Sequence, residues 1–296
     1  PLELSMTPYD KLKATYDDRG YIVCGNLLSL DLIVELRAII EALVKRAEGV
    51  KESTDTYEFI ENTKTGTPRL ERINSPHTIH SVFNQLIRKE EIVDILRLLL
   101  GPDVRLHGSK LNLKSNGGGS AIEWHQDWAF YPHTNDDVLA VGIMIDDMTP
   151  DNGPLMFVPG SHKGPVYDHS SDGFFCGAIQ PEISKEATEH ADVLTGSAGS
   201  VSFHHCRVLH GSKMNQSADP RRFLLYEIMA ADAWPLAGCH SLYDSWEGMN
   251  ERLICGTQSM TPRLRQVPVR LPQPILPNAT SIFYQQRHGN NRIFTD

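Results

Sequence analysis

The amino-acid sequence predicts a mainly β fold with flanking helices, built on a double-stranded β-helix (jelly-roll, cupin-like) core. Two observations carry this. Helical periodicity is confined to roughly the first hundred residues, and from Val104 onward short apolar runs alternate with turn signals. Helices followed by a run of strands suit a jelly-roll with the helices packed on one side. At 296 residues the chain can bury a sizeable core as one unit. One domain is the simplest reading, with a helical part at about 1–101, the barrel core at about 102–232 and a C-terminal extension at about 233–296.

Residues 8 to 18 read as a short helix and Tyr21-Ile22-Val23 as a buried strand. A longer helix begins at Ser29, a suitable N-cap, with Asp31 in the first turn. Leu32, Ile33, Leu36, Ile39, Ile40, Leu43 and Val44 recur at helical spacing, so one face packs on a sheet. Residues 47 to 66 are polar and irregular, a surface loop or a lid. Two helices at roughly 78 to 88 and 90 to 100 stop at Gly101-Pro102. Val104 to Lys114 reads as a strand, Gly117-Gly118-Gly119 as a flexible connection and Ile122 to Asp127 as the next strand. No Gly-Lys-Ser/Thr follows those glycines, so they are not a phosphate loop. Val138 to Ile145 suits a buried strand, and Asn152-Gly153 is a hairpin-turn signal before Leu155 to Val158. Residues 164 to 198 have few strand signals and read as a long insertion over the site. Val201 to Phe203 and Arg222 to Met229 are two further strands, and nothing after about 235 matches a motif.

The formal net charge of −9 argues against a nucleic-acid partner, because no general basic field is present to draw one in. The five cysteines are odd in number and form no Cys-X-X-Cys pair. They read as reduced thiols, neither a disulfide framework nor a zinc-thiolate site. No signal sequence opens the chain and no apolar run approaches a membrane span, so a soluble, cytoplasmic protein with no membrane partner is expected. Oligomeric state leaves no mark in the sequence.

The chemistry centres on Glu123-Trp124-His125-Gln126-Asp127-Trp128. One residue separates an imidazole from a carboxylate, and on an extended strand both side chains project to the same face. A second imidazole alongside would complete a two-histidine, one-carboxylate facial triad, the ligand set of non-haem Fe(II) oxygenases, with open positions left on the metal. The alternative for the pair alone is a strand-end histidine hydrogen-bonded to an aspartate. His162, His204, His205 and His210 compete for the remaining place.

Four segments occur in one order: Trp124-His125-Gln126-Asp127, Asp151-Asn152-Gly153-Pro154-Leu155, Phe157 to Lys163, and His210-Gly211-Ser212 through Arg221-Arg222. Together, from about Tyr16 to about Ala230, they resemble the phytanoyl-CoA dioxygenase family of iron(II)/2-oxoglutarate oxygenases. The resemblance implies the same barrel, Fe(II) held by His125, Asp127 and His210, and 2-oxoglutarate and dioxygen as co-substrates. It favours His210 because Gly211-Ser212 follow it and Arg221 lies eleven residues on. His204 and His205 are then expected to pack or hydrogen-bond.

Arg221 becomes the candidate anchor for the far carboxylate of 2-oxoglutarate, which a planar guanidinium holds bidentately. Arg222 would point to the opposite face of the strand. Ser212 is a candidate further donor to that carboxylate, and Asn112 a candidate for the other end of the co-substrate, with Arg72 behind it. Trp128 and Phe130 are either pocket lining or core.

The implied reaction is oxidative decarboxylation of 2-oxoglutarate to succinate and carbon dioxide, coupled to hydroxylation of an unactivated C–H bond in a small metabolite. Retention of Asp127 favours oxygenation over halogenation. Desaturation, epoxidation or cyclisation with the same cofactors is one alternative. Others are a non-catalytic jelly-roll that binds a metal or small ligand, and a zinc hydrolase, which would leave Arg221 unexplained.

Overall fold

In the computed structural model, which describes residues 7–50, 52–61, 66–116, 118–237, 245–271, 273–277 and 281–294, the first helices begin where the capping chemistry puts them. Helix α1 (Pro8–Arg19) opens on a capping box in which Thr7 and Asp10 bond reciprocally. Strand β1 (Tyr21–Cys24) follows. Helix α2 (Leu30–Arg46) is capped by Ser29, whose side chain accepts from the Leu32 N–H, and it buries Ile33, Leu36, Ile40 and Leu43 as the periodicity predicts.

The stretch from 47 to 66 departs from the sequence expectation. Strand β2 (Tyr57–Glu61) lies within it and pairs with β3 (Pro68–Asn74). The expected helix over 78–88 is two short ones, α3 (Pro76–Ile79) and α4 (Ser81–Leu86). They are interrupted at His80, whose extended backbone frees its ring to accept the Val82 N–H. Helix α5 (Glu90–Leu100) then runs to Gly101.

The remaining elements are β4 (Val104–Lys114), β5 (Ile122–His125), β6 (Val138–Met144), β7 (Leu155–Phe157), the short β8 (Ser170–Ser171) and β9 (Phe174–Phe175), and α6 (Pro181–Glu189). They continue with β10 (Asp192–Val193), β11 (Val201–His205), β12 (His210–Ser212), β13 (Arg221–Ala230), α7 (Trp246–Glu251), β14 (Leu253–Cys255) and α8 (Ile282–His288).

An eight-stranded sheet runs β1-β11-β6-β13-β4-β3-β2, with β14 added to β4, and a four-stranded sheet runs β10-β7-β12-β5. The two face each other across a core that draws Met144, Phe223 and Leu225 from the large sheet and Leu155 and Phe157 from the small one. This is the expected jelly-roll. On the outer face of the large sheet, Leu111, Val141, Leu224, Tyr226 and Ile228 pack against Ile33, Leu36, Phe83 and Leu96 of the helices. Strand alternation therefore leaves Arg221, Phe223, Leu225 and Glu227 of β13 facing inward. A bulge pairs Glu227 with Gly108 but Ile228 with Leu106, so His107 is the extra residue of β4. Beyond it, Lys110, Asn112 and Lys114 share the inward face.

Three further expectations are corrected. The strand over Ile122 to Asp127 ends at His125, and Asp127 opens a single 3-10 turn, Asp127–Ala129. Asn152-Gly153 is a turn but closes no hairpin, because β6 and β7 belong to different sheets. Its Asn152 side chain accepts from the Thr149 N–H and donates to the Asp147 carbonyl. Residues 164–198, expected to hold few strands, contain β8, β9, α6 and β10. His169 accepts the Gln126 N–H and Phe175 meets the Phe130 ring beside the site, and the rest packs on the outside of the small sheet. There Trp124, Met156 and Leu209 meet Ile179, Ala187 and Phe294.

Gly117 and Cys239 lie outside the described residues; Cys24, Cys176, Cys206 and Cys255 are free thiols. Among the described residues no helix is long and apolar enough to cross a membrane.

Candidate metal and co-substrate site

Strands β5 and β12 are neighbours, and their register sets His125 directly opposite His210. Both imidazoles thereby reach the inner face side by side, with ring centroids 4.1 Å apart. Asp127, just past the end of β5, turns its carboxylate toward them. His125 Nε2 lies 3.8 Å and His210 Nε2 3.9 Å from Asp127 Oδ1, and one ligand atom from each of the three residues falls within 4.8 Å of the others.

The orientation of each ring is fixed from behind. His125 Nδ1 donates to the Glu123 carbonyl at 2.8 Å and His210 Nδ1 to the Val208 carbonyl at 3.0 Å. Each Nε2 lone pair is left aimed at the centre. Burial, reinforced by His210, pushes the His125 pKa well below its usual value, and burial brings His210 to about 4. Burial opposes ionisation of Asp127, but His210, Lys110 and His204 outweigh it and hold the carboxyl well below its ordinary range. Two neutral imidazoles and an ionised carboxylate are what a divalent ion needs.

The competing histidines are elsewhere, with one exception. His205 faces Asp136, at 4.0 Å, and the His162 ring, at 5.3 Å. His204, however, lies inside the site, with Nε2 3.6 Å from Asp127 Oδ2 and its ring 4.9 Å from that of His210. It backs the carboxylate oxygen that the triad contacts leave aside.

Deeper in the barrel, Arg221 is fully buried and stands opposite Lys114 in register. Among the described residues, its Nε and Nη1 have no hydrogen-bond partner. Lys114, also buried, donates to Ser212 Oγ at 2.8 Å and to the Lys213 carbonyl. Gly153 makes room for this lysine: its φ is +73°, and a Cβ there would meet Lys114 Nζ at 3.0 Å and the Lys213 carbonyl oxygen at 2.7 Å.

Burial, then the neighbouring Arg221, drives Lys114 well below the usual lysine value, and burial takes Arg221 to about 10. Glu71 opposes the fall at both residues, and Asp146 at Arg221, but the Glu71 oxygens are engaged by Arg69 and the Ser120 N–H. Two buried cations with no ion pair among the described residues are costly unless an anion joins them. A dicarboxylate fits that demand, so the residues present suit 2-oxoglutarate.

Lys114 is the residue that sequence reasoning missed. Its signal was the alternation of Lys110, Asn112 and Lys114 with Leu111 and Leu113, a polar row on one face of an otherwise apolar strand. Arg222 faces outward as expected, bound to Asp146 at 2.6 and 2.8 Å.

Asn112 does not stand alone: its Oδ1 accepts from Arg72 Nε at 2.9 Å. Above this pair a cavity of about 440 Å³ opens beside Asp127, bordered by Arg72, Lys110, Glu227, Phe130 and Tyr131. Of the two aromatic candidates, Phe130 borders it and Trp128 is core, with its indole N–H donated to the Pro268 carbonyl at 2.7 Å.

The phytanoyl-CoA dioxygenase (PhyH) family pattern matches residues 16–223. A probable alpha-ketoglutarate-dependent hypophosphite dioxygenase of Stutzerimonas stutzeri is 40% identical over 276 residues, spanning 92% of this chain and 95% of that protein. An ectoine dioxygenase of Stutzerimonas stutzeri strain A1501 is 31% identical over 233 residues, 73% of this chain and 75% of that one. Among solved structures, EctD from S. alaskensis with 2-oxoglutarate and 5-hydroxyectoine superposes with a TM-score of 0.64 at 23% identity, covering 93% of this chain and 91% of that one. At that identity the likeness shows the shared jelly-roll.

Proposed function

The chain belongs to the phytanoyl-CoA dioxygenase family and is an iron- and 2-oxoglutarate-dependent dioxygenase; from this we propose that it hydroxylates a small polar metabolite, with release of succinate and carbon dioxide. The observation that carries the reading is the convergence of His125, Asp127 and His210 beside a buried Arg221 that has unused donors. His125, Asp127 and His210 would hold the Fe(II). Arg221, with Lys114 and Ser212, would take the far carboxylate of 2-oxoglutarate. The bound metal supplies the activation of dioxygen against the keto acid, so that one oxygen atom goes to succinate and the other to the substrate.

The protein's own part is positional. The Glu123 and Val208 carbonyls fix the imidazole tautomers, and His204 steadies Asp127. Asp127 would occupy a metal position that an external anion could otherwise take, which favours hydroxyl transfer over halide transfer. The burial of all three ligand residues limits the approach of bulk water to the cavity beside Asp127, which bound substrate would fill.

The bond attacked has two readings. Ectoine, named in the 31%-identical relative, offers C–H bonds, as the sequence led us to expect. Hypophosphite, named in the 40%-identical relative that spans most of the chain, offers P–H bonds, and that identity favours the second reading. Succinate formation with each compound, and an oxygen atom gained in the product by mass spectrometry, separates the two. His210→Ala should abolish iron-dependent succinate formation and His205→Ala should not. The reverse result would move the distal ligand to His205, and no succinate with any substrate would favour the binding-only jelly-roll.

A further inference from the structure

Arg72 is an unusual guanidinium. It stands on β3 opposite Asn112 of β4 and is only 8% exposed. Its Nε is committed to Asn112, and its plane rests on the Phe283 ring, 4.7 Å from guanidinium carbon to ring centroid. Its Nη1 forms an ion pair with buried Glu58, 3.6 Å from Oε2 and longer than a hydrogen bond, and among the described residues neither terminal nitrogen makes a side-chain hydrogen bond like that of Nε. One end is thus fixed and stacked, and the fork at the other end borders the cavity beside Asp127.

Two further donors converge there. Lys110 sits two residues from Asn112 on the same face and uses one of its protons on Glu227 at 3.0 Å. The Tyr131 hydroxyl is buried beside the Asp127 carboxylate, which acts on it, and makes no hydrogen bond of ordinary geometry among the described residues. The carboxylates of the cavity are already engaged: Glu227 by Lys110, and Asp127 by the metal it would hold. Asp55 is exposed at the rim.

We propose that this cavity receives an anionic substrate, whose oxoacid head group docks on the Arg72 fork with Lys110 and Tyr131 as flanking donors. The proposal rests on the oxygenase reading above and assigns Arg72 to the substrate rather than to 2-oxoglutarate. A planar fork with two parallel N–H groups matches two oxygens of a carboxylate or of a phosphorus oxoacid, and it gives a neutral amide one acceptor fewer.

The test uses the full chain loaded with Fe(II) and 2-oxoglutarate under nitrogen, so that nothing turns over, and reads binding by calorimetry. The probes are methylphosphonate and propionate, each against an uncharged partner of similar shape, dimethyl methylphosphonate and propionamide, with propylamine as the cation. At least one anion should bind tenfold or more tightly than its uncharged partner, and the two anion arms tell a phosphorus head from a carboxylate.

Arg72→Gln should weaken that anion about thirtyfold or more and leave the affinity for 2-oxoglutarate within about twofold. Arg72→Lys, which keeps the charge, should recover part of the preference. Neutral or cationic probes binding as well as anions, or Arg72→Gln leaving the anion unaffected, would overturn the proposal. A matching loss of 2-oxoglutarate affinity in Arg72→Gln would return Arg72 to the co-substrate. Failure of the wild type to bind Fe(II) and 2-oxoglutarate would instead count against the oxygenase reading.

Discussion

Arg221 and Arg222 are adjacent in sequence and opposite in environment, one buried with unused donors and the other bound to Asp146 at the outer face. Removing a buried charge that an anion requires costs several kcal/mol. Arg221→Gln should therefore raise the 2-oxoglutarate dissociation constant a hundredfold or more, while Arg222→Gln stays within a few-fold in the same calorimetric titration. Lys114→Met should show two opposite effects. It should weaken 2-oxoglutarate and, by removing an unpaired buried cation, stabilise the unliganded chain by about 1–3 kcal/mol in urea denaturation. A destabilised, unliganded Lys114→Met chain would show that the Ser212 bond matters more than the repulsion from Arg221. The sequence exposed His125 and Asp127 because they are near neighbours, and His210 and Arg221 only through the family resemblance. It concealed Lys114, and it named Arg72 and His204 without showing that they face the barrel interior, because a charged or polar residue in a strand looks the same whether it faces solvent or a barrel interior.

At the scale of elements, strand β5 is held from far along the chain. The Glu123 carboxylate accepts the Ile293 N–H at 3.0 Å and the Phe294 N–H at 3.1 Å, and the Gln286 side chain of α8 accepts the Glu123 N–H at 2.9 Å. Glu123→Ala strands those two N–H groups and should cost about 2–4 kcal/mol. Glu123→Gln, which keeps an acceptor, should cost clearly less, and equal denaturation midpoints for the two variants would mean the carboxylate adds nothing as an acceptor. No local pattern could announce this latch, since its partners are separated by some 170 residues. Strand β3 was hidden for a related reason: Arg69, Glu71 and Arg72 make it look like surface, yet Glu71 and Arg72 are buried. Capping residues, by contrast, act over three or four positions, which is why α1 and α2 begin where their sequences say.

For the whole molecule, burial depresses the pKa of His133 to about 3 and of His169 to about 4, against a usual value near 6.5. The unfolded chain then binds more protons than the folded one between those limits. The stability these neutral imidazoles contribute is present above about pH 6.5 and drains away as pH falls toward 4 for His169 and toward 3 for His133. In urea denaturation these two rings alone should cost on the order of 2–4 kcal/mol between pH 7 and pH 5. His77 and His205, depressed by burial to about 4 and about 3, add to the loss, and a flat profile would mean that the rings protonate freely in the fold.

The bulge at His107 turns Lys114, Asn112 and Lys110 inward in one row, which runs about 14 Å along a single strand at about 3.4 Å per residue. The proposed contacts with the shared co-substrate sit at one end of that row and those with the individual substrate at the other. Lineages that diverge at the Lys110 end, with its ion-pair partner Glu227 and the neighbouring Arg72, can acquire new diets while inheriting the same oxidising engine unaltered.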